Sequence, residues 1–183
     1  ADYLRSYRGL QCEADEVIVT TGIRHALDLI ARSVLKTGET ACVEDPGYLP
    51  ARRLFALAGA NVQGIPVTAE GLDTGQLPER ARLAYVTPAH QAPLGMTLSV
   101  SRRLALLDWA ARADAWVVED DYDSEYNYNS APLAALKALD SGDRVIYCGS
   151  FNKNLFPGLR VGFMVVPKGL RRSLLRRLQL TGH

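Results

Sequence analysis

The chain has 183 residues, of which 48% are hydrophobic and 22% are charged, and its formal net charge is +1. A chain of this size and composition can bury a core of ordinary size, which excludes an intrinsically disordered segment. The near-neutral charge also gives no overall electrostatic attraction to nucleic acid or to an anionic membrane.

Short apolar runs rich in Val, Ile and Tyr alternate with longer segments of helical period. Strands are predicted at residues 17–20, 40–43, 61–65, 83–87, 116–119, 145–148 and 160–166. Helices are predicted at residues 23–35, 49–58, 101–113, 133–139 and 168–178, and residues 1–10 have the pattern of an amphipathic helix end. This alternation is typical of βαβ units. It predicts one α/β domain over residues 1–183, with three layers (α/β/α) and a mostly parallel sheet.

The two ends of the sequence lie within helical patterns, and the first residue is not Met. We therefore expect the chain to be part of a longer protein. No apolar run approaches the ~18 residues of a membrane helix, and the N-terminus lacks the apolar core of a signal peptide. A cytoplasmic protein without a membrane segment is expected.

Three cysteines, Cys12, Cys42 and Cys148, are widely spaced and form no CxxC pair. An odd number at these spacings supports neither a disulfide framework nor a zinc site. We therefore predict no structural disulfide and no metal site, as in a protein of a reducing compartment.

Five loops concentrate the polar, glycine-rich and charged residues of the chain. In sheets of this type, ligands bind beyond the carboxyl ends of the strands, in the loops that lead into the next helix. The loops selected by this rule are residues 21–26, 44–50, 87–95, 119–126 and 149–154. The chemistry of the protein is expected there.

The loop EDDYDSEY at residues 119–126 directly follows an apolar strand. Carboxylates at the end of a buried strand are costly unless a positive charge or hydrogen-bond donors meet them. A metal ion, capping of the following segment and a protonated heterocyclic nitrogen each satisfy this requirement. The metal is the least favoured of the three, because the chain has no second acidic cluster and no EF-hand spacing.

Lys153 is one of only four lysines and lies in the segment GSFNKNLFPGLR, seven residues before Arg160. It either solvates this loop or serves as a nucleophile, since a desolvated lysine near other cations can form a Schiff base with an aldehyde. With the acidic strand end and the Thr-Gly turn that enters a helix at Gly22, the second role matches pyridoxal phosphate. The aldehyde, the pyridinium nitrogen and the phosphate would each have a partner.

Five motifs occur in a fixed order along nearly the whole chain: VTTGIRHALDLIA, VEDPGYLPAR, YVTPAHQAPLG, VVEDDYDSEYNY and GSFNKNLFPGLRVGF. This order resembles the large domain of fold-type-I aminotransferases, which depend on pyridoxal 5'-phosphate. More narrowly, it resembles the aminotransferase-like domain of the MocR branch of the GntR bacterial transcription regulators.

The resemblance implies an effector or sensor domain that binds pyridoxal 5'-phosphate, through an internal aldimine with Lys153, and a small amino compound. It further implies a homodimeric full-length protein that binds DNA through a separate N-terminal winged-helix domain. Full catalysis is not expected of these 183 residues, since the arginine that clamps a substrate carboxylate usually lies in a further, small C-terminal domain. The alternative function is a free-standing class I aminotransferase acting on an amino acid and a 2-oxo acid.

The resemblance also implies roles for individual residues. Besides the link at Lys153, Asp120 would keep the pyridine nitrogen protonated, and Tyr122 would donate toward the phenolic oxygen of the ring. Tyr48 would stack on the ring face. The residues implied for the phosphate are Gly22, Ile23, Arg24, Ser150 and Arg160.

One departure from the family pattern concerns the phenolic oxygen. Many aminotransferases place Asn before the Pro of an N-P-x-G turn, and this chain has Ala92 there. The missing contact would come from His90 or Gln91. Arg24 stands where the relatives are expected to have Gln, and it either adds a charge to the phosphate site or points to solvent.

A run of basic residues in the last predicted helix is the remaining charged feature. A solvated helix face explains it, and contact with DNA is the alternative. The run comprises Arg171, Arg172, Arg176 and Arg177.

Overall fold

The computed structural model describes residues 1–122, 134–150 and 161–181. Within these ranges eight strands form one sheet. They are β1 (Val17–Thr20), β2 (Thr40–Asp45), β3 (Asn61–Thr68), β4 (Gly71–Leu72), β5 (Leu83–Val86), β6 (Trp116–Asp121), β7 (Val145–Ser150) and β8 (Gly162–Val165).

Six α-helices surround the sheet in the described parts of the chain. They are α1 (Asp2–Arg8), α2 (Ile23–Val34), α3 (Leu49–Leu57), α4 (Val100–Arg112), α5 (Leu136–Leu139) and α6 (Lys168–Thr181). Two short 3-10 helices, Ala14–Glu16 and Thr74–Gln76, complete the regular structure.

The strand order is β1-β8-β7-β6-β5-β2-β3-β4. The five central strands from β7 to β3 are parallel to one another. β8 is antiparallel to both β7 and β1, and β4 is antiparallel to β3. The predicted α/β class with a mostly parallel sheet is therefore confirmed, with antiparallel pairing confined to the two sides.

Apolar side chains cover both faces of the sheet, which gives the predicted three layers. On one face, Leu27 of α2, Phe55 of α3 and Leu174 of α6 pack in one buried cluster with strand residues. On the other face, Leu106 of α4 and Leu136 of α5 pack in a second cluster.

The elements differ from the prediction mainly at their ends. β4 was not predicted, because two residues carry no periodicity. The helix predicted at 133–139 begins only at Leu136, since Ala135 has a non-helical backbone with ψ 149° and the buried carboxylate of Glu119 accepts the first N–H groups of α5. β2 and β3 continue two and three residues further than predicted, to Asp45 and Thr68.

The three cysteine side chains are buried, and their thiols are free. In the described ranges, no helix combines the length and the apolar character required to cross a membrane.

Candidate functional site

The ends of several strands place the predicted site loops along one edge of the sheet. β2, β5, β6 and β7 are parallel, so their carboxyl ends lie together. β1 runs in the same direction as β7, because β8 is antiparallel to both. In this register Gly162 pairs with Thr20 on one side and with Ser150 on the other. The start of α2 therefore lies close to the end of β7.

Asp120, at the end of β6, is a buried carboxylate with few partners. It is 5% exposed, and among the described residues its one hydrogen bond comes from the hydroxyl of Tyr85, at 2.5 Å from Oδ2. Burial, with smaller contributions from the nearby carboxylates of Asp121 and Glu44, raises the pKa of Asp120 to about 7, although the hydrogen bond from Tyr85 opposes the shift. A positive ligand atom beside Asp120 would offset this cost.

Tyr48 lies next to the same tyrosine. It is half-buried at the residue before α3, and its ring stacks with that of Tyr85 at a centroid distance of 6.3 Å and an interplanar angle of 27°. Tyr85 therefore links two residues that the sequence assigned to the cofactor, Tyr48 and Asp120. Sequence reasoning missed Tyr85, which it took only as part of an apolar strand.

Tyr122 and His90 form a second pair of predicted site residues. Tyr122 directly follows β6, and its ring stacks with that of the exposed His90 at a centroid distance of 6.3 Å. The structure thus brings together the predicted donor to the phenolic oxygen and one of the two candidates for the contact that the absent Asn would have made.

Gln91, the other candidate, is committed to the protein itself. The residue is 1% exposed, and its side-chain amide nitrogen donates to the carbonyls of Pro46 at 2.9 Å and Ala92 at 2.8 Å. Its amide oxygen accepts from the backbone N–H of Leu94 at 3.0 Å. Both ends of the Gln91 amide are therefore hydrogen-bonded within the protein.

The first turn of α2 has the geometry of an open helix end. Gly22 precedes the helix with φ 109°, a backbone conformation that favours glycine, and it provides no side-chain cap. Ile23 is half-buried and Arg24 is exposed. The unpaired N–H groups and the positive dipole of a helix start favour a phosphate.

The loop at residues 44–50 is fixed to the loop at residues 87–95 by a second buried acid, Glu44. Its Oε2 accepts from the hydroxyl of Thr87 at 2.6 Å and from the Thr87 N–H at 3.2 Å. Burial raises the pKa of Glu44 to about 7, although these bonds oppose the shift. Its position at a strand end was the available signal, but the sequence does not show which loop it contacts.

The other two acids of β6 point to the opposite face of the sheet. Glu119 accepts from the backbone N–H groups of Leu136 at 2.7 Å and Lys137 at 2.8 Å, and Asp121 accepts a short hydrogen bond from the hydroxyl of Tyr147. Capping, one of the three explanations of the acidic strand end, therefore applies to Glu119. Asp120 alone of the three faces the side of Tyr48 and α2.

Two of the predicted residues, Lys153 and Arg160, lie outside the described residues. Ser150, three residues before the lysine, is half-buried at the end of β7. Among the described residues, no group of three or more His, Cys, Asp and Glu side chains could hold a metal ion.

A cavity of about 670 Å³ lies at the opposite edge of the sheet. Its lining includes Thr40 and Arg82, which lie at the amino ends of β2 and β5, and Asp114, which precedes β6. Asp120 is at the other end of β6, so this cavity does not belong to the candidate site.

Comparison with known proteins adds independent evidence on the family. The sequence profile of the aminotransferase class I and II family matches residues 1–181. The probable rhizopine catabolism regulatory protein MocR of Rhizobium meliloti is 44% identical over 185 residues, covering 100% of this chain and 37% of that protein. The HTH-type transcriptional regulator TauR of Rhodobacter capsulatus is 41% identical over 176 residues, covering 92% of this chain and 36% of that protein. The chain thus spans little more than a third of these two relatives.

Aminotransferases also match, both in sequence and in structure. Aromatic-amino-acid aminotransferase 1 of Thermococcus litoralis is 32% identical over 184 residues, covering 95% of this chain and 44% of that enzyme. The crystal structure of Pyrococcus horikoshii kynurenine aminotransferase in complex with PMP superimposes with a TM-score of 0.91 at 36% identity, over 98% of this chain and 47% of that one. These matches confirm the predicted fold and the resemblance to fold-type-I aminotransferases.

Proposed function

Because the chain belongs to the aminotransferase class I and II family, we propose that it is the pyridoxal-5'-phosphate-binding effector domain of a MocR-type transcription regulator. The observation that carries the proposal is Asp120, a buried carboxylate at the carboxyl edge of the sheet whose negative charge is met, among the described residues, by one tyrosine hydroxyl. The regulators that match over nearly the whole chain support the same function.

The described residues fit this cofactor. Asp120 would hold the pyridine nitrogen, whose positive charge offsets the cost of burying the carboxylate. Tyr48 would stack on the ring, while Tyr122 and His90 would face the phenolic oxygen. When bound, the cofactor supplies an aldehyde that takes up amines and a ring that accepts electrons.

The phosphate would lie at the start of α2. The backbone N–H groups of Ile23 and Arg24 follow the glycine turn at Gly22, and Ser150 lies at the end of the neighbouring strand β7 in register. The motif around Lys153 supports its covalent link to the cofactor, and Arg160 would add a positive charge at the phosphate.

The wider setting is also part of the proposal. The effector would be a small amino compound that competes with Lys153 for the cofactor. DNA would be bound by a part of the protein outside these 183 residues, and the full-length protein would act as a homodimer in the cytoplasm.

Borohydride reduction of the protein mixed with pyridoxal 5'-phosphate tests the proposal, because it fixes the bond between an amine and the cofactor aldehyde. Peptide mapping should find the label on Lys153. Two other lysines, Lys137 and Lys168, serve as internal controls, because both lie near Asp143 and away from the candidate site. The side-chain amine of Lys137 donates to Asp143 at 3.4 Å, and the backbone N–H of Lys168 donates to it at 2.9 Å. A label confined to either of them would contradict the assignment.

The similarity to the aminotransferase from Thermococcus litoralis supports a second candidate function, that of a free-standing aminotransferase. The two functions differ in turnover. A sensor domain should bind pyridoxal 5'-phosphate and exchange it with amines without cycling, whereas an aminotransferase should convert a common amino acid and a 2-oxo acid over many cycles. Rapid multiple turnover would replace the sensor by the enzyme.

A further inference from the structure

Tyr85 occupies an unusual place beside the candidate site. It lies in the middle of β5, is 1% exposed, and its ring packs edge-on against Phe55 at a centroid distance of 6.3 Å. Its hydroxyl therefore cannot be satisfied by bulk water and needs a partner inside the protein. That partner is Oδ2 of Asp120, at 2.5 Å, on the neighbouring strand β6.

We propose that Tyr85 is a positioning residue that fixes the Asp120 carboxylate through Oδ2 and leaves Oδ1 to receive the pyridine nitrogen of the cofactor. This inference rests on the proposed function, because it assumes that Asp120 meets a protonated ring nitrogen. It gives a role to Tyr85, the first residue of the motif YVTPAHQAPLG, to which the resemblance assigned none. Tyr85 would act through Asp120 and would not touch the nitrogen itself.

The chemistry of the two groups sets the direction of the bond. Burial and the negative charge of Asp120 raise the pKa of Tyr85 well above its usual value, so the phenol keeps its proton and donates it. The terminal torsion of an Asp side chain is soft, with a broad, two-fold preference. A donor on one oxygen holds the plane of the carboxylate, and the second oxygen is then presented in one direction.

The ring of Tyr85 adds a second positioning contact. It stacks with Tyr48, which is proposed to cover the cofactor ring. The hydroxyl and the ring thus support different contacts, and substitution by phenylalanine removes the first while keeping the second. Tyr85→Phe is therefore a test of the hydroxyl alone.

The chain offers a matched control on the other face of the sheet. Tyr147 is also buried, also lies in a central strand, and also donates to an acid of β6, in this case Asp121. Tyr147→Phe removes the same kind of bond without touching Asp120. It should lower stability to a similar degree and leave cofactor affinity within about twofold.

The affinity for pyridoxal 5'-phosphate should be measured by absorbance titration of the unmodified full-length protein and of the Tyr85→Phe and Tyr147→Phe variants. We expect Tyr85→Phe to bind about tenfold more weakly, the lower end of the range for a hydrogen bond to a charged group. Equal affinity of Tyr85→Phe and the unmodified protein would overturn the inference. An equal loss in Tyr147→Phe would also overturn it, because the effect would then be one of general stability.

Titration of the Asp120 carboxyl by carbon NMR, without cofactor, gives a second readout that is independent of binding. Its pKa should rise in Tyr85→Phe and stay unchanged in Tyr147→Phe, since the Tyr85 bond opposes the rise caused by burial. The other ionisable groups around Asp120 are Asp121, Glu44 and Cys148, and all three are retained in Tyr85→Phe. An unchanged Asp120 pKa in Tyr85→Phe would overturn the inference.

Failure of the proposed function would look different. If the unmodified protein does not bind pyridoxal 5'-phosphate at all, the proposed function fails and the positioning role fails with it, whatever the carboxyl titration shows. If Tyr85→Phe does not fold, labelled tyrosine in the unmodified protein decides the matter. The hydroxyl-bearing ring carbon of Tyr85 should then shift when the cofactor is added, and that of Tyr147 should not; the absence of a Tyr85 shift would overturn the inference.

Discussion

Glu119 and Asp120 are adjacent acids on one strand, and burial raises the pKa of both to about 7. Glu119 points toward α5 and accepts two backbone N–H groups, so the protein satisfies it by itself. Asp120 points the other way and accepts one hydroxyl among the described residues. A raised pKa is therefore shared by a structural acid and a candidate functional acid, and the set of partners distinguishes them.

The same contrast exists between two helix starts. The start of α5 is filled by the carboxylate of Glu119, whereas the start of α2 has no side-chain cap. Free N–H groups and a positive dipole remain at α2, on the side of the sheet that Asp120 faces. The buried carboxylate of Asp120 favours a positive group and the start of α2 favours a phosphate, and one ligand with both groups would fit the two positions.

The largest expected effect is the pH dependence of the cofactor-free protein. Glu44, Glu119 and Asp120 all have folded-state pKa values raised to about 7 from ordinary values near 4. The folded protein therefore holds more protons than the unfolded one between about pH 4 and 7, and the free energy of unfolding falls as the pH rises through that window. Each acid lowers the free energy of unfolding by on the order of 3 kcal/mol across this window, since a shift of one pKa unit corresponds to about 1.4 kcal/mol.

Urea unfolding at several pH values measures this fall and separates the two acids of β6. Bound cofactor should remove the contribution of Asp120, because a positive ring nitrogen stabilises its charged form, and should leave that of Glu119. If the free energy of unfolding falls with pH by the same amount with and without cofactor, Asp120 does not differ from Glu119 in its response to the cofactor.

The next effect concerns the structural acid. Glu119→Ala would leave the buried N–H group of Leu136 and the partly buried N–H group of Lys137 without their acceptor, at a cost of about 2–4 kcal/mol in the free energy of unfolding. Cofactor affinity of the folded molecules should stay within about twofold. Urea unfolding and absorbance titration check the two parts, and a large loss of affinity in a stably folded variant would assign Glu119 to the site.

Asp120, the candidate functional acid, should respond in the opposite way. Asp120→Asn removes a charge that burial disfavours, so the cofactor-free protein should become more stable at pH 8. Affinity for pyridoxal 5'-phosphate should fall by about 1.5–3 kcal/mol, the value of a hydrogen bond to a charged group. Asp121→Asn is the matched control, because Asp121 bonds Tyr147 on the other face. An equal loss of affinity in that control would show that the face of the sheet does not decide the role.

These residues also show how far the sequence alone could lead. The alternation of apolar runs and helical segments predicts the three layers, and the acids after an apolar strand predict that the chemistry lies at that edge. The bond between Tyr85 and Asp120 could not be predicted, because it joins residues 35 positions apart and depends on the register of β5 and β6. Nor does the sequence show that the Gln91 amide is hydrogen-bonded within the protein, because this depends on the positions of Pro46 in the neighbouring loop and of Leu94.

The smallest expected effect is at the open helix start. Arg24 is exposed in the first turn of α2 and makes no hydrogen bond or ion pair with the other described residues. A positive side chain at this end opposes the helix dipole, so Arg24→Gln should raise the stability of the cofactor-free protein by a few tenths of a kcal/mol. If the side chain also attracts the phosphate, the same change should weaken cofactor binding by up to about threefold at low salt and less at high salt, because exposed charges are screened.

Opposite signs in the two measurements would thus place a phosphate at α2 without any assumption about Asp120. Arg32→Gln is the control, since Arg32 lies in the last turn of the same helix and pairs with Asp28 at 2.9 Å. It should leave affinity unchanged at every salt concentration. If Arg24→Gln and the unmodified protein bind equally well at low salt, the Arg24 side chain points to solvent. The phosphate would then be held at α2 by the backbone N–H groups, which are uncharged.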